Sequence, residues 1–208
     1  AHPQLSLEME PFQDGFIRWS PEAAAWRETA DSTVVAGEVE AVFGRCDGLK
    51  ALQYQASRNH WRQLLADPTI HLVLLRRVNL LEAVVSVMVA EQTGRWHAWD
   101  PASDVEVAPL GVDAVRTHLA WLDSRMTELE SIAAEREGPS LVVTTEALYA
   151  RRATDRVREV ARIFAFLGLD THLPAESLAL LDPARTKLAS AASLQAIPGV
   201  RELNDALG

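Results

Sequence analysis

The run Ile70 to Leu75, IHLVLL, restricts the fold of this chain more than any other stretch. It is apolar almost throughout and is bounded by Pro68 on one side and by Arg76-Arg77 on the other. A short, uninterrupted run of this kind suits a strand buried on both faces, as in a parallel sheet. Asn79 stands where the next helix needs an N-cap, and Leu80, Val84, Val87 and Met88 follow at helical spacing. The stretch therefore reads as strand, tight turn and helix.

Parallel strands need crossover connections, usually helices, and the rest of the chain supplies them. Ser20-Pro21-Glu22 has the form of a helix start leading to about Ala30, and a second helix is expected over Ser32–Phe43 with Val35, Val39, Val42 and Phe43 on one face. Leu49–Tyr54 reads as a short strand, and Ser57 caps a helix that Asp67-Pro68 ends by Ala66. The longest helix runs from Val112 to about Glu137, ended by Gly138-Pro139; Leu141–Thr144 is another short β-branched strand. Thr154-Asp155 opens a helix to Leu167, a last one covers Ala175–Leu181, and the tail beyond shows no clear pattern. Alternation of this kind predicts an α/β fold, a mostly parallel sheet flanked by helices, in one domain over 1–208.

Composition excludes several classes. The chain has 208 residues, 48% hydrophobic and 24% charged, ordinary for a globular protein. A net charge of −9 argues against a nucleic-acid surface, although a local basic pocket for a small anion is compatible with it. The single cysteine, Cys46, excludes an intrachain disulfide framework and a Cys-rich zinc site. His60, His71, His118 and His172 carry no metal-ligand spacing, so no metal is expected. No apolar run reaches the roughly 18 residues a spanning helix needs, and a cytoplasmic location without a transmembrane segment is the expectation.

Ligands of open α/β sheets bind beyond the carboxyl ends of the strands. There Arg76 and Arg77 meet a helix N-terminus, a favourable place for an anion because guanidinium groups bind phosphate bidentately. Ser86, nine residues after Arg77, adds a hydroxyl about two turns into the helix. The other reading of the same residues is salt bridges for the arginines and passive packing for Ser86.

The arrangement Arg77-x-Asn79-x6-Ser86, followed by Glu91-Gln92-Thr93-Gly94-x-Trp96-His97, resembles bacterial sulfotransferases of the trehalose- and Nod-factor-modifying kind. The resemblance implies a sulfotransferase fold of the P-loop NTPase-like type, with 3′-phosphoadenylyl sulfate (PAPS) as co-substrate. It places Arg77 and Ser86 on the 3′-phosphate, and Lys187, in the closing segment TKLASAASLQAIPGVRELNDAL, near the nucleotide. Leu141 to Leu148 followed by IFAFLGL is similar to a family element of strand, acidic residue and helix, with Thr145-Glu146 where a Tyr-Glu pair is usual.

His2-Pro3 and Met9-Glu10-Pro11-Phe12 resemble a family segment whose acid serves as general base toward the acceptor hydroxyl, which marks Glu10 as a catalytic candidate. A carboxylate suits that role if desolvation raises its pKa; the other reading is a solvated loop acid. His97 is the alternative base, although a histidine beside tryptophans more often packs. Trp96 and Trp99 are the best-placed acceptor platforms, while Trp26, Trp61 and Trp121 sit within helical patterns and are expected in the core.

Members of that family carry a P-R-S-G-S-type turn that cradles the 5′-phosphosulfate, and no such turn is found in the 208 residues. The similarity begins at His2, just after the place of that N-terminal strand and turn. A missing strand would expose a sheet edge and apolar surface, so a longer chain or a homo-oligomer is favoured over a solitary monomer. The function expected is sulfuryl transfer from PAPS to a hydroxyl of a carbohydrate, glycolipid or small natural product. The alternatives are a non-catalytic nucleotide-binding or assembly module that has lost the transfer loop, and, against the absence of a Walker sequence, a P-loop kinase relative.

Overall fold

Short strands and longer helices alternate in the computed structural model, which describes residues 4–9, 32–52, 58–95, 106–172, 182 and 197–207. In chain order the elements are β1 (Leu7–Met9), α1 (Ser32–Phe43), β2 (Gly48–Lys50), α2 (Arg58–Leu64), β3 (Leu72–Arg76), α3 (Leu80–Thr93), α4 (Val112–Glu135), β4 (Ser140–Thr144), α5 (Thr145–Leu148), α6 (Ala153–Phe166) and α7 (Val200–Leu207). The chain is thus α/β. Its described residues divide into two units: one from 1–74, 125–142 and 162–171, the other from 75–124, 143–161 and 172–208.

The strands of the described residues form two two-stranded sheets, β1 with β2 and β3 with β4, where the sequence predicted one sheet. β1 and β2 run parallel, with Leu7, Glu8 and Met9 opposite Gly48, Leu49 and Lys50. A side-chain clamp fixes the start of this pair. Ser6 donates from its amide and its hydroxyl to Asp47 Oδ2, both at 2.7 Å, and the Asp47 amide returns a bond to the Ser6 carbonyl at 3.0 Å. Those two donors from Ser6 hold the Asp47 carboxyl below its ordinary value. One position further along, buried Glu8 accepts from Arg45 Nε at 2.7 Å.

In the first unit Trp61, Leu64, Leu65 and Ile132 are buried together, with Val39, Leu49, Ile70, Leu72 and Leu129 packed around them. Trp61 is a core residue, as its helical pattern implies. Arg136, just past α4, ties the surrounding loops: it donates to the carbonyls of Leu65, Asp67, Ile70 and Pro139 and to the Ser140 hydroxyl. Gly138 lies so close to this guanidinium that a Cβ would overlap its Nη2 and approach the Pro68 carbonyl oxygen to 2.8 Å.

In the second unit Val84, Val85, Leu110, Val115, Val200 and Leu203 form the core. Burial of side chains this size contributes about 1.5–3 kcal/mol each. Gly199 brings α7 in: its φ of +88° suits glycine, and a Cβ there would lie 3.1 Å from the Leu110 carbonyl oxygen. The Leu110 amide donates to the Pro198 carbonyl at 3.4 Å across the same junction.

Several expectations need correction. The β3 and β4 strands are not buried on both faces: Leu74 and Val143 are buried, but their neighbours Leu75 and Val142 are 51% and 48% exposed. The alternation is that of strands with one covered face. The buried stripe of α3 runs through Val84 and Val85 while Val87 faces outward, because its middle, apolar from Ala83 to Ala90 but for Ser86, does not reveal which stripe turns inward. Trp121 is 45% exposed, so it lies outside the core assigned to it, and Phe43 on the apolar face of α1 is 37% exposed. The predicted strand Leu49–Tyr54 is the shorter β2, with Ala51 and Leu52 beyond its end and residues 53–54 outside the described residues. The helices expected over residues 20–30 and 175–181 lie outside the described residues as well. Among the described residues no helix is long and apolar enough to cross a membrane.

Candidate functional site

The site is built in the second unit, where β3 ends and α3 begins. β3 closes at Arg76, Arg77 follows half-buried, and Val78 is exposed. Asn79 then acts as the predicted N-cap: its Oδ1 accepts from the Glu82 amide at 3.0 Å, and its carbonyl accepts from the Ala83 amide at 3.3 Å. The bonds satisfy donors that a helix start otherwise leaves unpaired. At the far end Gly94 takes φ +69° and donates to the Ala90 carbonyl at 2.8 Å, a left-handed glycine cap.

β4 delivers the second half. Its last residue, Thr144, caps the single turn α5 by accepting from the Ala147 amide at 3.1 Å. Thr145 is buried there, and this turn aims Glu146 at the junction after β3. Glu146 Oε2 accepts from the Val78 amide at 3.1 Å, and Oε1 accepts from the Asn79 amide at 3.2 Å. At the other ends of the strands, the Leu72 amide donates to the Pro139 carbonyl at 3.0 Å. Start meets start and end meets end, so β3 and β4 run in the same direction, and their carboxyl ends share one junction.

Electrostatics at the junction balance closely. Partial burial pushes the Glu146 carboxyl up, but the amides of Val78, Asn79 and Glu146 itself, with the nearby charge of Arg77, outweigh it. The net effect holds the carboxyl below its ordinary value. Both carboxylate oxygens are engaged by backbone, and Arg77 and Glu146 do not close into an ion pair. A guanidinium beside a helix N-terminus is unfavourably placed unless an anion is near. The junction therefore carries an internal anion, Glu146, beside the charge of Arg77.

Ser86 is half-buried on α3. It follows Asn79 by seven residues, so it lies on nearly the same helix face and about 10 Å further along the axis. An extended arginine and a hydroxyl at that spacing can contact one phosphate from two sides. Arg77 thus lies in the turn between β3 and α3, and Ser86 lies on α3. Glu10, Trp96, His97, Trp99 and Lys187 lie outside the described residues. Among the described residues no group of three or more His, Cys, Asp and Glu side chains is placed to hold a metal ion.

The contact of Glu146 with this junction is not legible in the sequence pattern. Its signal was positional: an acid two residues past a β-branched strand, as Arg77 is one residue past its own. Comparison with protein-family models, with curated proteins and with solved structures finds no match to this chain.

Proposed function

We propose that the chain is a sulfotransferase that takes a sulfuryl group from 3′-phosphoadenylyl sulfate and places it on a hydroxyl of a carbohydrate, glycolipid or small natural product. One observation carries the reading: Arg77 flanks a capped helix start without closing onto Glu146, and Ser86 stands two turns further on the same helix. That arrangement suits a phosphate monoester, which accepts bidentate bonds from arginine and a further bond from a hydroxyl.

In this reading Arg77 and Ser86 hold the 3′-phosphate, and Lys187 adds charge near the nucleotide. The acceptor oxygen attacks sulfur, and the bond from sulfur to the 5′-phosphate oxygen breaks. Adenosine 3′,5′-bisphosphate leaves with that electron pair. Glu10 or His97 receives the acceptor proton, and Trp96 and Trp99 provide faces for the acceptor. The resemblance over residues 71–97 supports the roles given to Arg77, Ser86, Trp96 and His97.

Calorimetry with adenosine 3′,5′-bisphosphate tests the reading. Wild type should bind; Arg77→Ala should weaken binding by about 30-fold or more, and Ser86→Ala by about tenfold, the worth of a charge-assisted and a neutral hydrogen bond. Absence of wild-type binding at millimolar nucleotide refutes the assignment. A labelled-sulfate transfer assay with pooled hydroxyl acceptors then separates an enzyme from a module that binds the nucleotide without transfer.

A further inference from the structure

Glu146 raises a physical question that the nucleotide reading does not answer. A carboxylate and a guanidinium this close in a partly buried turn would ordinarily pair with each other, and an arginine so captured has little left for a ligand. Here the carboxylate is taken up by two backbone amides instead, at 3.1 and 3.2 Å. Those amides belong to Val78 and Asn79, which link Arg77 to the first turn of α3. The contact spans 67 residues of sequence and joins the ends of two neighbouring strands. It fixes the backbone on which Arg77 stands relative to the helix that carries Ser86.

We propose that Glu146 is a positioning residue of the anion site, pinning the Val78 and Asn79 amides so that Arg77 and Ser86 face one phosphate monoester. The inference rests on the nucleotide reading above and adds a specific role to it. Glu146 does not touch the ligand. It holds the turn, and the two bonds that fix it come from backbone amides and not from Arg77. Its own negative charge opposes a second anion, and the two amides together with Arg77 offset that charge.

The test is a ratio of affinities, which general loosening of the fold would not change. Adenosine 3′,5′-bisphosphate and adenosine 5′-monophosphate differ by the 3′-phosphate alone, so the ratio of their dissociation constants isolates this site. In the full chain, wild type should prefer the bisphosphate by at least about tenfold, the worth of one charge-assisted hydrogen bond. Glu146→Ala should bring that ratio close to one while the monophosphate binds as before. Glu146→Gln, which keeps one acceptor oxygen, should fall between the two.

An equal loss for both nucleotides in Glu146→Ala would reduce the residue to a structural part and overturn the inference. A ratio in Glu146→Gln above wild type would overturn it too, since it would mean that the charge competes with the ligand. A wild-type preference that survives in Glu146→Ala overturns this inference alone. A wild-type ratio of one overturns the nucleotide reading and takes the inference with it.

Discussion

Replacing Gly138 by alanine sets a new methyl group onto Arg136 Nη2, 2.7 Å from its Cζ and 2.8 Å from the Pro68 carbonyl oxygen. The guanidinium is the softer neighbour and must move. Its Nη2 then leaves the carbonyls of Asp67 and Ile70, now held at 3.0 and 2.7 Å. Hydrogen bonds from a charged donor contribute about 1.5–3 kcal/mol each, and water recovers part of the loss at exposed Asp67. Gly138→Ala should therefore cost about 2–3 kcal/mol. Arg136→Ala removes all five bonds but leaves carbonyls that water reaches in part, and should cost about 3 kcal/mol. In the Arg136→Ala background only the Pro68 contact still opposes the methyl group, so adding Gly138→Ala should cost about 1 kcal/mol. The two substitutions are then coupled by about 1–2 kcal/mol, which urea denaturation of the four proteins in a double-mutant cycle measures. Strict additivity would refute the claim that the glycine exists to seat the guanidinium.

The pH dependence of stability should carry the Glu146 contact. Its carboxyl is held below the ordinary value when folded, so just below about 4.3 the unfolded chain binds the extra proton and stability rises with pH. The contribution is complete above that value and is lost as pH falls through the folded one. Glu146→Gln should flatten this limb in urea titrations below about pH 4.3, with Asp47, Asp67 and Glu135 among the groups that supply what remains; an unchanged slope would count against the contact. In the second unit Leu203 is fully buried, and Leu203→Ala should cost about 2–4 kcal/mol by the same denaturation measurement. A loss below about 1 kcal/mol would remove α7 from the core.

Local signals in the sequence carried the helices well. The pattern over Ser32–Phe43 has the limits of α1, and Asn79 is legible as the cap that it is, because both depend on neighbours within one turn. Burial was less legible. Leu75 and Val142 belong to apolar strands, yet which face of a strand is covered depends on partners distant in sequence. The choice between Val85 and Val87 fails for the related reason that periodicity carries little information across the middle of α3, where Ser86 is the one polar residue from Ala83 to Ala90. α7 was missed because Pro198-Gly199 punctuates the chain and only eight residues follow in the helix, although Val200 and Leu203 keep the spacing of a buried face. At the site, Arg77 and Ser86 could be read from one contiguous motif. Glu146 could not, since its partners lie 67 and 68 residues away and are backbone amides, whose availability no side-chain pattern records.

The junction of Gly199 with Leu110 bears on how the second unit comes to exist during synthesis. Val84, Val85, Leu110 and Val115 are made early, whereas Val200 and Leu203, which cover them, emerge about 85 residues after Val115. Until then the early half of that core has no lid, and its valines face water or whatever protein attends the nascent chain. Closing so long a loop costs chain entropy that packing between neighbouring helices does not. A ribosome stalled before Pro198 would thus leave Val84, Val85, Leu110 and Val115 without the cover that Val200 and Leu203 give them.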